Sequence, residues 1–198
     1  MGMVLLGIIA IISPFVVSTI GTNDPYRFWI GEYSTQPVYV WNRGTLSSVQ
    51  RDGERSLRLH VPTRVALAIP GQTNFRLAMS VLGNEVLEGV RLFLRTTEHD
   101  YTITQQRGIE LRLDRNGVQV IDGSRVLIST DSLRYKPGTP IRIAYEHDGQ
   151  QFRIAVGCTV FGPFRTTRPA TTMTLVEPLG ADGALLFLEN IVAEAVHN

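Results

Sequence analysis

Residues 141–157 read IRIAYEHDGQQFRIAVG, and this stretch decides the fold class. Ile141, Ile143 and Tyr145 alternate with polar or small residues, and the alternation resumes after Asp148-Gly149. Apolar residues at every second position indicate half-buried antiparallel strands. An Asp-Gly pair supplies the positive φ angles that a tight hairpin needs. The stretch therefore predicts a β-hairpin.

The same pattern extends outward along the chain. Alternating runs begin near residues 57, 75, 90 and 109, and Asn-Gly or Asp-Gly pairs mark turns before and after this region, at Asp52-Gly53, Asn116-Gly117, Asp122-Gly123 and Asp182-Gly183. Short strands divided by turn signals are typical of sandwiches and barrels. No stretch after residue 23 has a helical period. We predict an antiparallel sandwich whose core includes Leu111, Ile143 and Ile154.

One part of the chain resembles a known family. The segment from Leu133 to Gly157 is similar to the late hairpin of concanavalin A-like sandwiches of the laminin-G kind, in which a Gly-containing turn, a strand, an Asp-Gly turn and a second strand follow one another. NEVLEGVRLFLRT (84–96), GIELRLDRNGVQVI (108–121) and ALLFLENI (184–191) look like the family's middle and last strands. The resemblance spans roughly residues 55–195 and implies a mostly β fold, an antiparallel jelly-roll β-sandwich of about a dozen strands.

The N-terminal segment is apolar. The first 23 residues carry no charged side chain, and residues 3–20 read MVLLGIIAIISPFVVSTI. Eighteen residues at the helical rise span about 27 Å, close to the hydrocarbon core of about 30 Å. A cleaved signal peptide is the alternative, but it needs a basic start that Met1 to Met3 lack. We predict a single transmembrane helix at 1–23, an interfacial linker at 24–44 and a β-sandwich domain at 45–198.

Two sets of residues are predicted to contact the membrane or a partner within it. Gly7 and Ala10 lie near one helix face, where small residues permit close approach of another transmembrane helix, or are simply tolerated in lipid. Tyr26, Arg27, Phe28 and Trp29 follow the span and suit the headgroup region, or begin the core of the domain. A short N-terminal anchor usually leaves the large domain translocated, so we predict a bacterial inner-membrane protein with a periplasmic domain.

No motif for catalysis or cofactor binding stands out. Glu110 and Asp114 share one strand face about 13 Å apart, too far for a glycosidase pair. The four histidines form no ligand pair. Calcium candidates exist at Asp114, Asn116, Asp122 and Asp131, but hairpin turns use the same residue types. We therefore predict no catalytic, cofactor-binding or metal residue, and we expect the protein not to be an enzyme.

Three further features of the sequence bear on what the surface could bind. Phe93 is an exterior aromatic that could stack on a sugar ring, although a glycan platform usually needs more than one ring. Outward arginines could form one basic face or be ordinary scattered charges; they are Arg58, Arg76, Arg91, Arg95, Arg112, Arg142 and Arg153. Cys158, the single cysteine, follows a strand end and is expected to be buried and inert.

Two hypotheses for function follow. A formal net charge of +1 argues against nucleic acid as a general partner. The first hypothesis is a non-catalytic, membrane-anchored accessory subunit that packs against other transmembrane subunits, as in a photosynthetic reaction-centre–light-harvesting assembly. The second, which rests on the fold resemblance, is a surface-tethered carbohydrate-binding domain. No individual residue supports a glycan ligand at this level, and a fold does not fix a function.

Overall fold

The computed structural model describes residues 26–28, 38–43, 45–51, 53–68, 74–96, 108–168 and 173–195. Within these ranges every regular element is a β-strand, as the alternating pattern predicts. The strands are, in chain order, β1 (Tyr26–Phe28), β2 (Val38–Arg43), β3 (Leu46–Arg51), β4 (Glu54–His60), β5 (Arg64–Ala68), β6 (Asn74–Gly83), β7 (Leu87–Thr96), β8 (Ile109–Asp114), β9 (Gly117–Asp122), β10 (Arg125–Thr130), β11 (Ile141–Asp148), β12 (Gln151–Val156), β13 (Thr159–Arg165), β14 (Met173–Gly180) and β15 (Leu185–Ala195).

The strands form two antiparallel sheets. The eight-stranded sheet has the order β1-β2-β5-β14-β7-β8-β9-β10, and the seven-stranded sheet has the order β13-β12-β11-β6-β15-β4-β3. Each strand pairing among the described residues is antiparallel. Neighbours such as β14 and β7 are distant in sequence, so the order of the strands depends on long-range pairing.

The core lies between the two sheets. Leu111 of the eight-stranded sheet is 0% exposed, and Ile143 and Ile154 of the seven-stranded sheet are 1% and 0% exposed. All three belong to one cluster of buried apolar side chains contributed by both sheets. The predicted register is therefore confirmed, because a shift by one residue would have turned these side chains to the outside.

The predicted hairpin at 141–157 is confirmed. Strands β11 and β12 pair with Asp148 opposite Gln151, and Gly149 has a φ of 54°. The β8–β9 hairpin is also tight, but its loop is Arg115-Asn116, and Gly117 is the first residue of β9, with a φ of 147°. A Cβ atom at Gly117 would collide with the carbonyl oxygen of Thr130, so this position requires glycine for space as well as for its φ angle.

The connection from β10 to β11 fixes one end of the eight-stranded sheet. Tyr135 in this loop is 2% exposed, and burial raises the pKa of its phenol to about 12. Its backbone N–H donates to the carbonyl oxygen of Asp114 at 2.8 Å, and the N–H of Gly138 donates to the carbonyl oxygen of Gly83 at 2.9 Å. The loop is thereby tied to the end of β8 in one sheet and of β6 in the other.

The observed architecture extends beyond the predicted one. There are fifteen strands in the described ranges rather than about a dozen. Strands β1 and β2 lie within the predicted linker at 24–44, and β2 pairs with β5 at an inner position of the sheet. The predicted helix at 1–23 lies outside the described residues. Within the described part of the chain, no helix has the length and apolar character needed to cross a membrane.

Candidate functional site

A row of polar side chains crosses the outer face of the eight-stranded sheet. Backbone register places Glu177 of β14 opposite Arg91 of β7, Arg91 opposite Arg112 of β8, Arg112 opposite Gln119 of β9, and Gln119 opposite Ser129 of β10. The residues that alternate with them, such as Leu92, Leu111 and Val120, are buried in the core. Period-two alternation therefore puts the polar row on the side of the sheet away from the core.

One end of this row is a partly buried ionic cluster. The guanidinium of Arg64 contacts Oε1 of Glu177 at 2.8 Å. Nε of Arg91 lies 3.5 Å from Oε1 of Glu110 and 3.7 Å from Oε2 of Glu177. Because Oε1 of Glu110 and Oε2 of Glu177 both contact this nitrogen, the two oxygens lie at most 7.2 Å apart.

Glu110 is the most deeply buried member of the cluster, at 1% exposed. Burial raises the pKa of its carboxyl above the ordinary value, and the charge of Glu177 adds to that effect, whereas Arg91 and Arg112 oppose it. Its Oε2 atom has no hydrogen-bond partner among the described residues. A carboxyl in this environment favours its protonated form more than an exposed one does.

The other end of the row is open to solvent. Nε of Arg112 donates to Oδ2 of Asp114 at 2.7 Å, while Oδ1 of Asp114 accepts the backbone N–H groups of Asn116 and Gly117 at 2.7 and 3.2 Å. The Arg112 side chain is 42% exposed. Its two terminal Nη groups donate to none of the described residues, so they can bind a ligand.

Two clefts flank the Arg112–Asp114 pair. The first, of ≈ 260 Å³, is lined by Arg112, Asp114, Asn116, Gly117, Gln119, Ser129, Thr130 and Asp131. The second, of ≈ 360 Å³, is lined by Glu88, Arg112, Asp114, Arg115, Asn116, Leu179 and Gly180. We call these the β10-side cleft and the β14-side cleft. Their linings are mostly amide, hydroxyl, carboxylate and guanidinium groups, which is chemistry suited to a polar ligand with many hydroxyls.

Three of the calcium candidates, Asp114, Asn116 and Asp131, line the β10-side cleft, whereas Asp122 lies outside it. Asp114 accepts the backbone N–H groups of its hairpin turn. Asp122 accepts hydrogen bonds from Thr166 at 3.0 Å and from Arg168 at 2.5 Å. Asp131 pairs with Arg134 at 3.3 Å on an exposed loop. Among the residues that the structure describes, no group of three or more His, Cys, Asp or Glu side chains could hold a metal ion.

The outward arginines do not share one face. Register places Arg91 and Arg112 on the eight-stranded sheet and Arg58, Arg76, Arg142 and Arg153 on the seven-stranded sheet. Phe93 lies on the outer side of β7 but is only 2% exposed, with the guanidinium of Arg91 5.7 Å from its ring centroid. It cannot offer an open stacking surface in this conformation.

Three sequence-based assignments concern Cys158, the membrane interface and the contact with a partner helix. The expectation that Cys158 is buried is wrong: it lies in the turn between β12 and β13 and is exposed. The membrane-interface assignment of Tyr26, Arg27 and Phe28 stays a prediction, although these residues form β1. Gly7, Ala10 and Trp29 lie outside the described residues.

Several members of the candidate site were not singled out from the sequence. Arg64, Glu177, Gln119 and Ser129 join it only through strand pairing. Their one signal in the sequence is that they alternate with apolar residues, which holds for outward positions on either sheet. The sequence places Glu110 and Asp114 on one face of a strand, whereas in the structure Glu110 and Glu177 both contact Arg91.

Comparison with known proteins identifies the fold but not a sequence family. No protein-family model matches the chain, and no curated protein matches its sequence significantly. Among solved structures, a carbohydrate-binding module from Bacillus subtilis has a TM-score of 0.54 at 11% identity, covering 76% of this chain and 92% of that one. The chain has a concanavalin A-like β-sandwich fold.

Other solved structures share this fold. The cellulose-induced protein Cip1 has a TM-score of 0.53 at 11% identity, with coverage of 83% of this chain and 88% of that one. A mutant sialidase of Trypanosoma rangeli has a TM-score of 0.56 at 11% identity, covering 91% of this chain but 32% of the sialidase. At such identities the similarity establishes the fold alone.

These comparisons overturn one prediction. The hypothesis of an accessory subunit that packs in a membrane energy-converting assembly is wrong, because the structures that share the fold include a carbohydrate-binding module and a cellulose-induced protein. The sequence suggested that hypothesis through its apolar N-terminal run, which says where a domain is held rather than what it binds. The glycan ligand that had no residue support in the sequence is the better starting point.

Proposed function

We propose that the protein is a surface-tethered, non-catalytic carbohydrate-binding domain whose ligand lies on the outer face of the eight-stranded sheet. The observation that carries this proposal is the pair of polar clefts around Arg112 and Asp114, in which donors and acceptors converge. Sugar-binding proteins with the same fold, such as the Bacillus subtilis module, add support from analogy.

The chemistry of the clefts fits sugar hydroxyls. A hydroxyl both donates and accepts hydrogen bonds, so it needs acceptors and donors side by side. Arg112 offers its free Nη donors beside the Asp114 carboxylate, and Gln119 and Asn116 each carry an amide that does both. Hydrogen bonds to charged groups contribute about 1.5 to 3 kcal/mol each, more than neutral ones. A ligand can therefore bind here without an aromatic platform.

The carboxylates argue for binding without hydrolysis. A glycosidase needs two carboxyl groups open to the substrate, about 5 to 9.5 Å apart. Glu110 and Glu177 do not exceed the upper limit, but both contact the Arg91 guanidinium and Glu110 is 1% exposed. Asp114 already accepts three hydrogen bonds. None of the three is placed to act as an acid or a nucleophile.

The tether is part of the proposal. The charge-free run at residues 1–23 would hold the domain on a membrane, and a short N-terminal anchor would place the domain on the translocated side. A glycan-binding domain held there would meet extracellular or cell-wall polysaccharides. Protease treatment of intact spheroplasts tests this placement, because a domain on the translocated side of the inner membrane is digested there without lysis, whereas a domain on the cytoplasmic side is protected.

A glycan array followed by calorimetry tests the function. The full chain should be purified in a zwitterionic detergent, since glycoside detergents would compete for the site. We expect binding to at least one neutral polysaccharide, and Arg112→Ala should weaken it at least about tenfold, or about 1.4 kcal/mol. Arg142→Ala is the matched control, because Arg142 is an exposed arginine of the other sheet.

The binding measurements on the two arginine variants have distinct outcomes for and against the proposed function. Thermal unfolding of both variants shows whether each remains folded before its affinity is compared. Loss of binding in the Arg112 variant with normal binding in the Arg142 variant supports the site. A folded protein that binds no member of a broad array, or that releases reducing sugar from a ligand, contradicts the proposed function.

A further inference from the structure

The two clefts are parts of one continuous site. Arg112, Asp114 and Asn116 line both of them. From this shared centre the β10-side cleft reaches Gln119 and Ser129, while the β14-side cleft reaches Glu88 and Leu179. A ligand that fills one cleft therefore reaches the entrance of the other.

The length of this site exceeds one sugar ring. Ser129 is on β10 and Leu179 is on β14, which are four strand spacings apart in the sheet. At about 4.8 Å per spacing, the site extends about 19 Å across the strands. A single pyranose ring would leave one cleft to water, whereas a chain of linked rings could lie along both.

The charges that line the site favour a neutral ligand. In the β14-side cleft, Arg112 and Arg115 are balanced by Glu88 and Asp114. In the β10-side cleft, Arg112 is paired with Asp114, and Asp131 is paired with Arg134, so no basic group is left unbalanced there. A uronic or sialic acid would place its carboxylate against these acids, and like charges at close range cost binding energy. Hydroxyl groups meet no such penalty.

We infer that the ligand is a neutral oligosaccharide that crosses the strands, with sugar units in both clefts and the Arg112–Asp114 pair beneath the linkage between them. This inference rests on the proposed function and specifies its ligand class. It also predicts that the protein binds within a glycan chain, since the site extends over two clefts rather than closing around one terminal sugar.

The experiment compares chain lengths. Affinities of the full chain for gluco-, manno-, arabino- and fructo-oligosaccharides, from monosaccharide to hexasaccharide, should be measured by calorimetry in zwitterionic detergent. In the series that binds, we expect the tetrasaccharide to bind at least about tenfold more tightly than the monosaccharide, because it engages both clefts. Oligogalacturonides of the same lengths should bind more weakly than the neutral series.

Two variants test separately whether each cleft contributes to binding. Gln119→Ala alters only the β10-side cleft and Glu88→Ala only the β14-side cleft. Both should weaken tetrasaccharide binding severalfold, whereas at most one should weaken monosaccharide binding. Gln151→Ala is the matched control, since Gln151 is an exposed glutamine on the other sheet.

The results distinguish this inference from the proposed function on which it rests. If no glycan binds, the proposed function itself fails. If glycans bind but the monosaccharide binds as tightly as the tetrasaccharide, the function stands and the two-cleft site is overturned. Tighter binding of oligogalacturonides overturns the neutral ligand class, and unchanged affinity in both cleft variants places the ligand elsewhere on the domain.

Discussion

Asp114 holds the β8–β9 turn and the candidate site together, so its replacement tests both. Its Oδ1 accepts the N–H groups of Asn116 and Gly117, at 2.7 and 3.2 Å, and its Oδ2 accepts Nε of Arg112 at 2.7 Å. Asp114→Ala removes all three hydrogen bonds. Asp114→Asn retains an oxygen at the position of Oδ1 for the two backbone N–H groups, but its amide NH2 replaces Oδ2, so the hydrogen bond and the ion pair with Arg112 are lost.

The expected losses in the free energy of unfolding follow from how exposed the partners of Asp114 are. Arg112 is 42% exposed, so its ion pair with Asp114 should contribute only about 0.5 to 1 kcal/mol. The N–H of Gly117 is buried, and leaving a buried donor unpaired costs about 1 to 3 kcal/mol. We expect Asp114→Ala to lower the free energy of unfolding by about 2 to 4 kcal/mol and Asp114→Asn by about 1 kcal/mol or less.

Urea unfolding followed by far-ultraviolet circular dichroism measures both values, provided that the slope with urea stays the same in all three proteins. The free energy lost in the Asn variant should also decrease at high salt, because an exposed ion pair is screened. The reasoning is refuted if the Ala variant lies within about 0.5 kcal/mol of the parent, or if the Asn variant is destabilised as much as the Ala variant.

Three further predictions concern the core, a turn and a buried carboxyl. Ile143→Ala should cost about 2 to 5 kcal/mol of stability because Ile143 is 1% exposed, whereas Val160→Ala, at 62% exposed, should change stability by less than about 0.5 kcal/mol; similar thermal shifts in both would contradict the core assignment. Gly117→Ala should cost about 2 to 4 kcal/mol through its φ of 147° and a backbone collision, and clearly more than Gly53→Ala, which has a φ of 87° but open space around it; equal losses in urea unfolding would rule out the collision. Burial raises the pKa of Glu110 above 4.5, so the folded protein holds that proton more tightly than the unfolded chain. The stability of the parent relative to Glu110→Gln should therefore be greatest below 4.5 and fall as pH rises through 4.5 towards the folded pKa; a difference that is flat with pH, or that rises with it, counts against the assignment.

The local structure could be predicted because the relevant signals are local. The alternation in IRIAYEHDGQQFRIAVG and its Asp-Gly pair predicted the β11–β12 hairpin and which side of each strand is buried. The core positions Leu111, Ile143 and Ile154 followed from the same period of two. The exposed position of Cys158 was missed because one residue beyond a strand end can turn either way, and the pattern stops there.

By itself, the sequence determined that the domain is an antiparallel β-structure, where its hairpins turn and which side chains fill its core, because strand alternation and glycine turns act over a few residues. Only the tertiary structure decided which strands are neighbours. Pairing of β14 with β7 brings Glu177 to Arg91, although 86 positions separate them in the chain. The same long-range pairing places Glu88 and Leu179 around one cleft and divides the outward arginines between two sheets. The candidate site is built from contacts between distant strands, and no local pattern specifies those.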